Sequence, residues 1–337
     1  MPHEKPAPNI FPRLISSFLL LCSMALAAPN PALAQGGCGS VCVPLDALDP
    51  DKTQLRKNQI RLLITTEHAA FDQFREGSDS LLNPGGNKAD ISQTTLFIDY
   101  GISRKITSSL LIPYIDKEQT TKNFGVRVAE GIGDIALFAH YEALSPTLGI
   151  GPSISYSIGL KLPSGSIDEP DNKPRLPPAF QVGSGAYDLF PAISYFQKFE
   201  SFSLFGSSFV RIPLESNKRG YKFGREIEAH LGLQYPIPLT KRKAGFLISF
   251  DYLFADHDQD SNAILPPKLR NGSQVLNTGG QFLDLTPGFI LFLGPNFTFQ
   301  SRFFIPILEN WNGLRQNNVG QVAPEFTTQF TLSYAGF

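Results

Sequence analysis

Segments in which apolar and polar residues alternate recur from residue 58 to the end of the chain. In the segment 153–162 one parity holds serine, glycine and lysine, and the other is apolar throughout: Ile154, Tyr156, Ile158, Leu160 and Leu162. Successive side chains of a β-strand point to opposite faces of the sheet, so this period of two predicts strands with one apolar face. Outside the N-terminal segment, no stretch is apolar enough to cross a bilayer as a helix.

The alternation predicts twelve strands, with the approximate ranges 58–67, 92–103, 105–116, 131–143, 151–163, 184–198, 201–213, 222–236, 244–256, 280–293, 296–308 and 323–335. After the first strand the connections alternate between long and short, and the long ones are 68–91, 117–130, 164–183, 214–221, 257–279 and 309–322. Bacterial outer-membrane barrels combine an even strand count with tight periplasmic turns and long outer loops. We therefore predict an all-β fold over residues 58–337: a transmembrane, antiparallel, up-and-down β-barrel of about 12 strands, with short periplasmic turns and long extracellular loops.

The first 34 residues have the three regions of a secretory signal peptide. A polar start precedes the apolar run 14–28, and the small-residue pattern Ala32-Leu33-Ala34 predicts cleavage before Gln35. This run is shorter than the roughly 20 residues that a spanning helix needs. An aromatic residue at the end of the last amphipathic strand fits the signal that the barrel-assembly machinery reads. We therefore expect a protein of the bacterial outer membrane, in contact with outer-membrane lipid.

The apolar parity of each strand must face lipid in a bilayer, which assigns the polar parity to the interior. The predicted lumen-lining residues are Asp134, His140, Glu142, Lys161, Arg211, Glu226, Glu228, His230, Asp251, Asp284, Arg302 and Glu325. Acids outnumber bases in this set, which leaves two interpretations open: a polar pore with a mild cation preference, or an ion-pair network that holds the barrel shut. For about twelve strands we favour a narrow lumen, partly filled by side chains or by a folded segment. The two histidines are interpreted as network members, and no metal site is predicted.

Residues 35–57 precede the first strand and carry Cys38 and Cys42. This periplasmic segment is a candidate plug that reaches into the lumen. In an oxidising compartment the favoured interpretation of the two cysteines is a disulfide across a short loop. A thiolate metal or redox site is the alternative, although no further cysteine or neighbouring histidine supports it. A c-type haem is disfavoured because the C-x-x-C-H pattern is missing.

Charge balance and motifs exclude several classes of function. The chain has 29 Lys+Arg and 30 Asp+Glu, a net charge of −1, and no basic cluster, so we predict no nucleic-acid partner. Three cysteines are too few for a disulfide-dense scaffold. The sequence has neither a G-x-S-x-G elbow nor an H-E-x-x-H pair, so we predict no enzymatic activity, no catalytic residues and no cofactor.

Prolines give two further expectations. Pro113, Pro163, Pro213 and Pro306 each follow an apolar residue, and we expect them at the outer ends of strands, where a missing backbone donor does no harm. The proline-rich segment Pro170–Pro178 lies in the long connection 164–183. We interpret it as a stiff exposed loop, the alternative being a constriction folded into the barrel.

Several short motifs together resemble the MetA-pathway of phenol degradation family of Gram-negative outer-membrane proteins. They are Gly131–Leu137 (GIGDIAL), Leu160–Ser166 (LKLPSGS), Leu176–Gly185 (LPPAFQVGSG), Asn277–Gly280 (NTGG) and Leu285–Gly288 (LTPG), spread over the predicted barrel. The resemblance implies an outer-membrane barrel and a passive channel for small, often aromatic or hydrophobic, compounds. It carries over no binding residues. We expect the glycines of the first and third motifs to serve bulges or tight turns.

These observations predict a channel for passive uptake or export of small solutes. A plugged barrel or sheath that binds a periplasmic metal or redox partner through Cys38 and Cys42 is the alternative. A third interpretation is a closed, loop-presenting barrel that conducts nothing.

Overall fold

The structure is a computed structural model, and it describes residues 55–336 except 84–85, 123–124, 146–150, 170–174, 239–242 and 313–320. Its strands are β1 (Ile60–Glu76), β2 (Asp79–Leu81), β3 (Lys88–Gly101), β4 (Ile106–Thr121), β5 (Gly125–Ile132), β6 (Ala136–Leu144), β7 (Gly151–Lys161), β8 (Asp188–Lys198), β9 (Ser203–Pro213), β10 (Tyr221–Lys222), β11 (Glu226–Pro238), β12 (Lys243–Ala255), β13 (Gln259–Asp260), β14 (Arg270–Asn271), β15 (Gln274–Val275), β16 (Gly280–Phe292), β17 (Phe297–Trp311) and β18 (Gln321–Gly336). Two short 3-10 helices span Pro178–Phe180 and Pro267–Leu269. Cys38 and Cys42 lie outside the described residues.

The long strands form a closed antiparallel barrel. Each pairs with its neighbours in chain order, and the last strand, β18, pairs with β1 over almost the full length of both. Because β5 and β6 both pair with β4, at its two ends, they form one wall strand, and the wall has twelve. The predicted fold class is therefore confirmed. Within the described part of the chain, no helix is long and apolar enough to cross a membrane.

The outward face of the wall is apolar, as the alternation predicts. In β7, Tyr156 and Ile158 are 53% and 56% exposed, whereas Ser155 and Ser157 are buried inside the barrel. In β1, the residues Ile60, Leu62 and Ile64 share one parity and are likewise exposed. A band of exposed aliphatic and aromatic side chains is what a lipid environment requires of a barrel.

Several strands extend further into the outer loops than the sequence predicts. The connection predicted as 117–130 is a hairpin, because β4 continues to Thr121 and β5 begins at Gly125. The first strand likewise ends at Glu76 instead of residue 67. Polar residues occupy both faces of these outer ends, so the alternation that marks the membrane span fades there although the ladder continues.

The fourth wall strand is interrupted between Ile132 and Ala136. β5 pairs with the outer half of β4 and β6 pairs with its inner half, and residues 133–135 join no ladder. Pro113 of β4 lies opposite this interruption, where its missing N–H costs no ladder bond, and its carbonyl accepts a hydrogen bond from the N–H of Gly133 at 2.9 Å.

Two of the four prolines therefore do not end strands. Pro113 lies within β4, and Pro306 lies within β17 beside the register shift between Leu283 and Asp284. Pro213 is the last residue of β9, as expected. Both exceptions lie at ladder irregularities, where a missing donor is tolerated: Pro113 faces the interrupted neighbouring strand, and Pro306 lies beside the bulge of its own strand.

Loops 214–225 and 256–279 pack against each other at the outer end of the barrel. They contain the four-stranded sheet β10-β13-β15-β14. The buried Tyr221 hydroxyl donates to Asp258 at 2.5 Å, and the same carboxylate accepts the N–H of Gly224 at 2.7 Å. Burial raises the pKa of both Tyr221 and Asp258. These contacts hold the two loops together at the outer end of the barrel.

Candidate functional site

A row of five buried charges with alternating sign crosses one side of the barrel interior. We call it the charge ladder, and its members lie on neighbouring wall strands in the order Asp134, Lys161, Asp188, Arg211 and Glu226. Lys161 Nζ lies 3.0 Å from Asp134 Oδ2 and 2.9 Å from Asp188 Oδ2, and Arg211 Nη2 lies 2.8 Å from Glu226 Oε1. Charges in an interior of low dielectric need such partners. At this level of the barrel interior, the five side chains form a packed ion-pair network.

Asp134 is the point where the charge ladder joins the longest inward loop, residues 162–187. The carboxylate sits in the interruption of the wall strand and accepts the Gly165 N–H at 2.9 Å. It also accepts the N–H and the hydroxyl of Ser184, at 2.9 and 2.6 Å. Gly165 and Ser184 lie on the two limbs of the loop. One buried carboxylate therefore ties both limbs to the wall.

Residues Leu176–Val182 of this loop fold into the barrel, and we call them the inward segment. Leu176, Phe180 and Val182 are buried and pack with Ile91 and Ile115 of the wall. The interpretation of Pro170–Pro178 as an exposed loop is therefore wrong for its described end, and residues 170–174 lie outside the described part. The physical reason is the set of apolar side chains Leu176, Ala179, Phe180 and Val182, which the proline content obscured in the sequence.

Lys117 of β4 fastens the inward segment from inside the barrel. Its buried ammonium donates to the carbonyls of Ala179 and Gln181, both at 2.9 Å. Carbonyls of a short 3-10 helix end have no partner within the helix, so a cation placed there satisfies them. Lys117 is not among the predicted lumen residues, because the predicted strand ends at residue 116.

A second ionic cluster lies inside the barrel on strands β11, β12 and β17. His230 Nδ1 lies 2.6 Å from Asp251 Oδ1, and Arg302 Nη2 lies 3.1 Å from both oxygens of the same carboxylate. Arg302 also donates to Ser249 Oγ at 3.0 Å. The histidine is thus a member of a hydrogen-bonded network, and no group of three His, Cys, Asp or Glu side chains in the described residues is arranged to hold a metal ion.

Nearer the periplasmic turns, the interior holds smaller polar clusters. His140 bridges Ser109 and Ser157 at 2.9 and 2.7 Å. Arg61 Nε donates to Asp99 Oδ2 at 2.8 Å, and both side chains are buried. The pair was missed in the sequence, although the apolar parity of β1 already assigns Arg61 to the interior.

The interior is not uniformly polar. A cluster of buried apolar side chains lines half of its wall: Leu63, Phe97, Leu111, Ala136, Phe138, Phe190 and Phe209. The rings of Phe138 and Phe190 lie 5.7 Å apart, and His140 stacks on Phe138 at 5.9 Å. The assignment of the interior to polar residues alone is therefore wrong at this level. Large side chains fill the space inside a barrel of this size.

The predicted lumen residues have these positions in the structure. Nine of the twelve are buried inside the barrel: Asp134, His140, Glu142, Lys161, Arg211, Glu226, His230, Asp251 and Arg302. Glu228 and Asp284 are half-buried, and the side chain of Glu325 lies outside the described part. Most of them meet in the clusters above, whereas Glu142 lies apart with Ser153, 3.3 Å away. Their role along a conducting path stays a prediction.

A cavity of about 350 Å³ lies on the outer side of the inward segment, and we call it the outer cavity. Its walls come from β5, the inward segment and loops 214–225 and 256–279. Apolar groups dominate the lining, among them Leu176, Pro177, Phe223 and Leu265. Small-molecule sites typically combine such a lining with a few placed polar groups.

Glycines make the close approach of the loop limbs possible. A Cβ at Gly183 would overlap the carbonyl oxygen of Gly165, and one at Gly165 would lie 2.7 Å from the Gly183 Cα. Gly185 and Gly131 have φ of +72° and +148°, which side chains disfavour. The expected backbone roles of these glycines fit this geometry.

Replacing Gly183 by alanine is expected to destabilise the folded barrel by about 1–3 kcal/mol, because the new methyl group must push the two limbs apart. Urea unfolding in lipid vesicles, followed by the fluorescence of Trp311, measures the change. Gly294→Ala is the matched control, since a Cβ there meets nothing within 4 Å. An unchanged midpoint for Gly183→Ala would contradict the tight crossing.

Comparisons with known proteins bear on the fold. No protein family and no curated protein matches the sequence. Among solved structures, the COG4313 outer membrane channel from Pseudomonas putida F1 is similar with a TM-score of 0.62 at 11% identity, over 86% of this chain and 99% of that one. The β-domain of the Bordetella autotransporter BrkA matches with a TM-score of 0.48 at 9% identity, over 83% of this chain and 100% of that one. At such low identity, what the chain shares with the channel is the fold of a bacterial outer-membrane β-barrel.

Proposed function

We propose that this protein is an outer-membrane channel for small solutes, which pass by diffusion through a narrow path gated by the inward segment. The outer cavity carries the proposal: a mostly apolar chamber lies against the segment that folds into the barrel. A wide, water-filled pore is not what this interior provides. A path of this kind favours compact, apolar or aromatic solutes over hydrated ions.

The resemblance to the MetA-pathway of phenol degradation family supports the same solute class. The signal peptide predicted over residues 1–34 and the lipid-compatible outer face support the bacterial outer membrane as the location, with insertion by the barrel-assembly machinery. The direction of transport in this proposal follows the solute gradient.

Liposome swelling tests the channel directly. Refolded, heat-modifiable protein is placed in vesicles, and the entry of arabinose, a phenolic acid and an amino acid is compared with that into empty vesicles, which corrects for passage through lipid. We expect swelling above the empty-vesicle rate, fastest for the phenolic acid. No swelling with protein shown to be folded would overturn the channel and favour the closed, loop-presenting barrel.

A plugged barrel is the second candidate, and one contact favours it. The N–H of Leu55 lies 3.4 Å from Thr107 Oγ1, and Leu55 is buried at the periplasmic end of the interior. The residues that precede β1 therefore lie at the periplasmic opening of the barrel. A plug formed by residues 35–57 would keep Cys38 and Cys42 from a water-soluble maleimide in the folded, reduced protein. Ready labelling of both cysteines and absence of bound metal would exclude this candidate.

A further inference from the structure

Strand β5 has one edge along which no strand is paired, and we call it the open edge. On its other side β5 pairs with β4 over its whole length. The next wall strand, β7, pairs with β6 and ends at Lys161, opposite Ala136, so it does not reach β5. Among the described residues, no strand takes its place beside Gly125–Ile132.

The register identifies the backbone groups that the open edge presents. The N–H of Gly133 donates to the carbonyl of Pro113, and in an antiparallel ladder bonded pairs alternate with unbonded pairs. The odd-numbered residues of β5 therefore bond to β4, whereas the N–H and C=O groups of Val126, Val128 and Glu130 point to the open side. No other described backbone group outside the strands bonds to them. Such a row of donors and acceptors is a template for a further strand.

The open edge lacks the features that usually prevent strand addition. Natural sheets protect their edges with lysine, proline or a bulge. The outward side chains of β5 include Val126 and Val128, which are 61% and 50% exposed, and β5 contains neither lysine nor proline. Its register with β4 has no shift. An extended chain laid along the edge would cover both valines and satisfy the backbone groups.

The outward face beside the open edge is acidic. Asp116 lies directly opposite Glu130, and Asp90 lies directly opposite Glu118. All four side chains are exposed, which places this level of the wall outside the lipid band. Like charges directly opposite each other destabilise a sheet, and among the described residues none of the four, nor the nearby Lys88, takes part in an ion pair. The face therefore favours a partner that brings positive charge.

A second copy of the chain does not fit the open edge. Two copies in one membrane have the same orientation, so a two-fold axis that relates them lies along the membrane normal. Barrel strands are tilted by about 35–45° from that normal. Two β5 strands related in this way would cross at a wide angle and could not form a ladder.

We propose that the open edge of β5 is a docking surface for an extended segment of a partner protein outside the cell. The segment adds to the sheet as an antiparallel strand, with apolar side chains opposite Val126 and Val128 and a lysine or arginine opposite Glu130. Backbone hydrogen bonds supply the affinity of such a contact, and the side chains on one face supply its specificity. This inference is independent of the proposed channel function.

Binding is tested with the full folded protein in lipid nanodiscs, by the fluorescence anisotropy of a rhodamine-labelled peptide with the sequence Thr-Lys-Thr-Val-Thr-Val-Thr. Nanodiscs without protein correct for binding to lipid. Laid antiparallel to β5, the peptide places its lysine opposite Glu130 and its valines opposite Val128 and Val126. We expect the counterpart with glutamate in place of lysine to bind about fivefold more weakly.

Two methylated isomers of the lysine peptide test the ladder itself. Methyl groups on the backbone nitrogens of both valines remove donors that face β5, and we expect binding about tenfold weaker. Methyl groups on the two threonines that precede the valines change nitrogens that point away from β5, so this isomer is expected to keep its affinity.

Substitutions test the same contact from the protein side. Val128→Pro removes one donor of the open edge and no bond to β4, and it is expected to weaken the lysine peptide about tenfold. Glu130→Gln is expected to weaken it about threefold. Glu200→Gln is the matched control, since Glu200 is exposed in the short turn between β8 and β9, at the other end of the barrel.

Equal binding of the two methylated isomers would overturn strand addition, and this comparison uses the wild-type protein, so it holds even if Val128→Pro does not fold. Absence of binding by the lysine peptide, or equal binding of the lysine and glutamate peptides, would overturn the basic partner. Dimers in light scattering that dissociate in Val128→Pro would assign the open edge to a second copy and would also overturn the proposal.

Discussion

Asp134→Asn is expected to lower the free energy of unfolding by about 3 kcal/mol, at the lower end of the cost of breaking a buried ion pair. The substitution keeps the shape of the side chain and removes its charge. The fully buried Lys161 then keeps only Asp188 as an anionic partner, and the new amide side chain has one acceptor oxygen for the donors of Gly165 and Ser184. Urea unfolding in vesicles measures the loss.

The matched control for this prediction is Asp256→Asn. Its carboxylate is 3.0 Å from Arg225 Nε, and both side chains are about half exposed, so its loss is expected to cost no more than about 1 kcal/mol. The double variant Asp134→Asn with Lys161→Met is expected to be more stable than the sum of the single effects, because it removes the buried cation together with its partner. Equal unfolding midpoints for Asp134→Asn and wild type would contradict the role of Asp134 as the anchor.

Lys117→Met is expected to open the barrel. The substitution keeps an apolar stem of similar length and leaves the carbonyls of Ala179 and Gln181 without their ammonium partner. An unsatisfied buried group costs about 1–3 kcal/mol, and each 1.4 kcal/mol shifts a two-state population about tenfold. The inward segment should therefore leave the interior more often, and arabinose should enter vesicles several-fold faster.

Lys88→Met serves as the control for the opening experiment. It makes the same charge change at an exposed position on the outer end of β3, the strand beside β4. Faster entry with both variants would point to a general charge effect. Unchanged entry with folded Lys117→Met would show that the inward segment does not limit passage.

The sequence was sufficient for the barrel because its signals are local and repeated. A period of two with one apolar parity specifies the outward face of each strand, and alternating connection lengths specify the topology. The same parity places most of the charge ladder inside. The interruption at residues 133–135 was not predicted, because the predicted strand 131–143 runs through it. The outward parity changes there, since Ile132 and Leu137 are both exposed.

The inward segment and the apolar interior cluster were not predicted, because both depend on contacts between distant parts of the chain. The inward segment depends on Lys117, which is 62 residues before Ala179, and on Asp134, which is 50 residues before Ser184. A proline-rich stretch alone favours an exposed loop, and only the register of β4 brings the lysine beneath it. The apolar interior cluster was missed for a related reason, since large inward side chains are needed only where the wall closes around them.

The charge ladder affects the ionic current that an electrode would record across a membrane containing this protein. Its three acidic and two basic side chains alternate in sign, so neighbouring charges largely offset one another and a single negative charge remains in excess. An uncharged or compact solute would meet no penalty from that cancellation. The barrel can therefore pass uncharged molecules while it carries little ionic current. Its transport is better measured as chemical flux than as current.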